Sequence, residues 1–146
     1  MLLAGCEAAP KAAAPPAKAE RAEASAVEVA APGPPTDEQI AAAIDHRIYR
    51  NIAAMEAGGA IVEPDMMRSV VRKSECRFVA QSRSRAHCRY EYHRSPDNGR
   101  SYEEAVEWVA WQKDWEALSG TFVHVREPGP SGAPGQTRWQ EAQAPA

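Results

Sequence analysis

Cys76, His87, Cys88 and His93 fall within a span of 18 residues, and their side chains are of the types that hold zinc. Their spacing does not serve that use. From Ser69 to Tyr92 the chain alternates with a period of two, Cys76, Phe78 and Ala80 against Glu75, Arg77 and Val79, then Ala86, Cys88, Tyr90 and Tyr92 against His87, Arg89, Glu91 and His93. Alternation of that kind marks strands whose two faces differ, so the cysteines lie on one face and the histidines on the other. One ion cannot reach all four, and no metal site is expected. A second chemical candidate, the run Glu103, Glu104 and Glu107 beside the turn signal Ser95-Pro96-Asp97-Asn98-Gly99, reads as solvated surface. With no Gly-rich phosphate loop, nucleophile elbow or Cys-x-x-Cys pair, no catalytic residue and no cofactor are assigned, and a non-enzyme is expected.

The same alternation gives the cysteines another role. Folding the segment about Ser82 sets Cys76 opposite Cys88 and Phe78 opposite Ala86, with Gln81-Ser82-Arg83-Ser84 at the turn. Directly opposed residues of an antiparallel pair have Cα atoms about 4.5–5.5 Å apart, within reach of a disulfide. A Cys76–Cys88 bridge is therefore expected, which requires an oxidising compartment.

Charge is the remaining signal. Residues 66–101 carry nine cations against three acids in a chain whose net charge is −3. Lys73, Arg77 and Arg89 project from the face away from the cysteines, and Arg83 and Arg85 from the turn tip, making a patch suited to an anionic envelope component or an acidic protein. Nucleic acid would suit the same patch, but the compartment argues against it.

The third cysteine sits in Leu3-Ala4-Gly5-Cys6, which resembles the lipobox of bacterial lipoproteins at each of its four positions. The resemblance implies that Cys6 is acylated and anchors the chain in a lipid bilayer, facing the periplasm. It also implies that a signal peptide's basic and apolar regions lie upstream of Met1. Residues 7–35 follow with 12 alanines and 6 prolines, a composition that buries too little apolar surface to order itself. A disordered tether is expected there. One cysteine used as an anchor leaves two to pair.

The elements that carry these residues can be placed from pattern. Thr36-Asp37-Glu38-Gln39 is a capping box, and Ile40, Ile44, Ile48, Ile52 and Met55 make an apolar stripe that ends at Gly58-Gly59, so a helix is expected over 37–57. Tyr102 to Leu118 is ambiguous. Trp108, Trp111, Trp115 and Leu118 have helical spacing and Ser101 with Glu104 could cap a helix, whereas Val106, Trp108 and Ala110 alternate with Glu107, Val109 and Trp111, and Lys113-Asp114 could turn the chain back into Trp115 to Val125; the reading favours two strands. Thr121–Val125 is a strand in either case. Residues 128–146 read as a disordered Pro/Gly-rich tail in which only Trp139 could dock.

The expected chain has four parts: a signal remnant and lipidation site (1–6), the tether (7–35), a domain (36–127) and the tail (128–146). The expected fold is α+β, one N-terminal amphipathic helix on an antiparallel meander of three to four strands. The function implied is a membrane-anchored envelope lipoprotein whose domain is a binding or structural module. The alternative is a tethered or secreted inhibitor that inserts the Arg83–Arg85 tip into an acidic enzyme cleft.

Overall fold

The computed structural model describes residues 26–64, 66–130, 133 and 135–142. It is an α+β fold of two helices and a five-stranded antiparallel sheet: β1 (Val27–Glu28), α1 (Asp37–Ala57), β2 (Met67–Phe78), β3 (Arg85–Pro96), α2 (Tyr102–Gln112), β4 (Glu116–Arg126) and β5 (Thr137–Glu141). Cys6 and most of the tether lie outside the described residues.

α1 begins where the capping box requires. Thr36 Oγ1 accepts from the Gln39 amide at 3.2 Å and Gln39 Oε1 accepts from the Thr36 amide at 2.9 Å, with Asp37 and Glu38 at the positive end of the helix. Only the first half of its stripe is covered. Ile40, Ala41, Ala43 and Ile44 are buried, Ile48 packs at the margin, and Met55 is 49% exposed.

β2 and β3 form the hairpin in the register that alternation predicts, Cys76 opposite Cys88 and Phe78 opposite Ala86. A bulge interrupts it. Arg72 pairs with Glu91 and Glu75 with Arg89, so Lys73 and Ser74 together oppose Tyr90, and Lys73 takes the left-handed conformation at φ 56°. The extra residue exchanges the faces of β2, which lets Val71 and Cys76 share one face although they are five positions apart. With Ile40, Ile44, Ala86, Cys88, Tyr90, Phe122 and Trp139 they belong to the main core cluster.

α2 corrects the first of the two strands preferred after Tyr102, whereas the second, from Trp115 to Val125, is met by β4. Ser101 and Glu104 complete a second capping box, and Lys113 closes the helix at φ 59°. Ala105 and Val109, four apart and so on one helical face, bury against Val70 on the sheet face opposite the main core. Trp115 and Leu118 fall outside the helix.

Two further corrections concern the flanks. Val27 and Glu28, read as tether, pair with Arg126 and Val125, and Ala31 is 4% exposed. Thr137–Glu141, read as disordered tail, pairs with Phe122–Arg126, and Trp139 is 4% exposed. The sheet thus extends beyond residues 36–127 at both ends. Val123 pairs with Arg85 and with Gln140, which puts β3 and β5 on opposite edges of β4, while β1 continues along the β3 edge.

The free edge of β2 is closed by side chains. The Ser69 amide donates to Asp45 Oδ1 at 3.0 Å, the Ser74 amide to Asp37 Oδ1 at 3.0 Å, and the Val71 amide to Tyr102 Oη at 2.8 Å. Tyr102 Oη in turn donates to the Val71 carbonyl at 2.6 Å. Both helices thereby occupy backbone groups that would otherwise be open to a foreign strand.

Candidate functional site: the stapled hairpin and its charges

The Val79 amide donates to the Arg85 carbonyl at 2.8 Å, so this pair and every second pair along the hairpin are hydrogen-bonded. Cys76 and Cys88 then fall at a non-hydrogen-bonded position, where opposed side chains are closest. Their Cα atoms are 4.1 Å apart and their sulfurs are bonded. Cys88 is fully buried in the main core.

The cations predicted to greet an anionic partner are mostly occupied by acids of this chain. Arg85 donates through Nε and Nη2 to Glu28, both at 3.0 Å. Those bonds, with one from Ser84, hold the Glu28 carboxyl below the usual carboxylate range and push the Arg85 guanidinium up. Arg89 Nη2 meets Glu75 at 3.0 Å and Lys73 Nζ meets Glu91 at 3.5 Å. Glu91 is shared with Arg72, whose two hydrogen bonds are the main reason its pKa is lowered. Arg83 lies 4.9 Å from the centre of the Phe78 ring, a cation–π contact that leaves its charge unneutralised. Arg77, exposed beside His87, has no ion pair among the described residues.

Sequence reasoning could not see these partners. Glu28 is 57 positions from Arg85 and lies in a stretch that composition assigns to a tether. The pairs Glu75–Arg89 and Arg72–Glu91 were within reach, because they are directly opposed in the hairpin.

The other chemical candidates stay apart. His87 and His93 occupy the face opposite the disulfide, His87 Nδ1 lying 3.4 Å from Thr121 Oγ1 and His93 Nδ1 2.7 Å from the Asp114 carbonyl. Glu104 is consumed in capping α2, where it accepts from the Ser101 amide at 2.9 Å, and Glu103 and Glu107 are exposed on that helix. Among the described residues no three His, Cys, Asp or Glu side chains gather as metal ligands would. Burial pushes the Tyr90 hydroxyl up to about 12, as fits a core phenol.

A group that the sequence did not bring to notice lies between α1 and β5. His46 on α1 and Arg138 on β5 line a cleft of about 380 Å³ with Thr137, His124 and Trp139, and His46 also lines a neighbouring cleft of about 470 Å³ with Arg47 and Arg50. His46 sits at a polar position of an amphipathic helix, and Arg138 in a supposed tail. Only Trp139 beside it gave a signal.

No protein-family model, curated protein or solved structure matches the chain. No helix of the described residues is long and apolar enough to cross a membrane.

Proposed function

We propose that the chain is a membrane-anchored envelope lipoprotein, attached through acylated Cys6 and facing the periplasm, whose domain, with α1 laid on the stapled meander, is a non-enzymatic binding or structural module. The observation that carries this reading is the Cys76–Cys88 disulfide. A bridge of this kind persists in oxidising compartments, and it accounts for two of three cysteines, leaving the one in the lipobox-like Leu3-Ala4-Gly5-Cys6. Location is thus supported by two features that do not depend on each other.

Within this reading the surface offered to an anionic component narrows to Arg77 and Arg83. Lys73, Arg85 and Arg89 are already matched by Glu91, Glu28 and Glu75, and exposed pairs of this sort leave little net field at a distance. The inhibitor alternative loses ground for the same reason. Of its two tip arginines, one is held by Glu28 and the other lies over Phe78.

Expression in a bacterial host from a gene that includes the upstream genomic sequence, followed by intact mass spectrometry with and without reductant and alkylating agent, tests the proposal. A species that begins at Cys6 with acyl chains added, and with two thiols masked until reduction, is the expected result. Release of the protein into the soluble fraction by Cys6→Ser would accompany it. An unprocessed chain with three free thiols would end the reading.

A further inference from the structure

His46 Nε2 and Arg138 Nη1 are buried and have no hydrogen-bond partner among the described residues. Buried polar atoms of folded proteins are nearly always partnered, so each exception calls for a partner, whether a water or an ion. The side chains that carry them line one cleft, on facing elements. Arg138 is not short of an acid, since its Nε and Nη2 hold Glu127 Oε1 at 2.7 Å and 2.6 Å; what is left over is donor capacity. Arg50, one helical turn after His46 and exposed in the adjoining cleft, has no ion-pair partner among the described residues. Glu141, the acid that lines that cleft, is held by Arg47.

We propose that the clefts on either side of His46 form a binding site for a phosphate-type oxyanion, with His46 Nε2, the free Nη1 of Arg138 and the Arg50 guanidinium as its donors. The donors stand on both walls, two on α1 and one on β5, which suits a tetrahedral group with several acceptor oxygens better than a flat carboxylate. Thr137, which precedes Arg138 and lines the smaller cleft, adds a hydroxyl. This site is independent of the lipoprotein reading, and Arg77 lines neither cleft.

The charge state of His46 gives the site a signature. Burial, then Arg138 and Arg50, lower the pKa of His46, against a smaller opposing pull from Glu127. Those groups, with Arg47, Glu141 and His124, are the titratable groups that line the two clefts or act on the ring. An oxyanion between the guanidinium groups and the imidazole favours the protonated ring, so its binding must raise the pKa of His46.

The experiment is an NMR titration of the histidine side chains of the full chain with inorganic phosphate, repeated with sodium chloride at matched ionic strength. Saturable binding that raises the pKa of His46 but not that of His87 is expected, with affinity reduced about tenfold in Arg50→Ala, the loss of one charge-assisted donor. His46→Asn, at a position only partly buried, should weaken binding while leaving the backbone spectrum folded. No saturable change at His46, or an equal change with chloride, would overturn the proposal, because water then satisfies the orphan atoms. Co-sedimentation with phosphatidylglycerol vesicles that is lost in Arg50→Ala identifies the source as a lipid headgroup; phosphate binding without co-sedimentation identifies a free phosphate compound.

Discussion

Glu28 accepts two hydrogen bonds from Arg85, at 3.0 Å from Nε and 3.0 Å from Nη2, and so fastens the strand that precedes α1 to the first residue of β3. The strap continues through the Val29 amide on the His124 carbonyl at 3.0 Å and the Ala31 amide on the Arg83 carbonyl at 2.8 Å. Glu28→Gln should loosen it. Because the pair is largely exposed, global stability should change by less than about 1 kcal/mol, while hydrogen exchange at Val29 and Ala31 accelerates. Equal exchange in variant and parent would show that the backbone bonds hold the strap without help.

The same carboxylate sets a pH dependence. Arg85 lowers the pKa of Glu28 in the folded chain, and Arg72 does so for Glu91, so their stabilising effect is complete above the unfolded carboxylate value of about 4.3 and is lost as pH falls through the lower folded values. Exchange at Val29 followed from neutral pH downward should stay slow through pH 5 and quicken only in that acid window. Protection that fades between pH 7 and 6 would point to a histidine instead.

Opening the disulfide removes a cross-link that closes a loop of 12 residues' separation. In the chain-entropy picture this costs about 3 kcal/mol, a large part of the stability of a domain this small. Denaturant unfolding of the intact protein and of Cys76→Ala/Cys88→Ala should show that difference; a loss below about 1 kcal/mol would mean that the main core suffices without the bridge.

Tyr102→Phe deletes one oxygen and two hydrogen bonds, those to the Val71 amide and carbonyl. A cost of about 1–3 kcal/mol is expected. The Val71 amide should also lose exchange protection and the free edge of β2 should become available for association, which light scattering at rising concentration would detect.

Truncation after Gln136 removes β5 and with it Trp139, which is 4% exposed and tilted against His124 with ring centres 5.1 Å apart. Loss of a buried indole costs about 3–5 kcal/mol, so the truncated chain should melt far below the parent, and Trp139→Ala should reproduce most of the effect. Unchanged melting would return residues 128–142 to the status of a tail.

The hairpin and α1 were legible because their signals are local. Alternation fixed which residues oppose which from Glu75 to Arg89, and two side chains sufficed to mark the start of the helix at Thr36. The bulge at Lys73 was not legible, since a left-handed lysine leaves no mark on an alternating pattern until both strands are seen together. α2 went the other way for a physical reason: Val106, Trp108 and Ala110 alternate as a strand would, yet the capping box and the burial of Ala105 and Val109 against Val70 outweigh that preference. β1 and β5, of two and five residues, are too short for a periodic pattern to show, and are ordered by pairing with β4. Hence Arg138 on β5 was hidden, whereas the disulfide was not.

β4 receives both ends of the described chain. Val27 pairs with Arg126, and the Ala142 amide donates to the Thr121 carbonyl at 2.9 Å from the other edge, so residues 27 and 142 stand about 20 Å apart, five residues along and two strand spacings across. The fold is therefore nearly a closed ring in its connectivity. A short linker from Ala142 to Val27, with new ends cut in the exposed 58–64 segment between α1 and β2, would give a circular permutant with each pairing of the sheet intact.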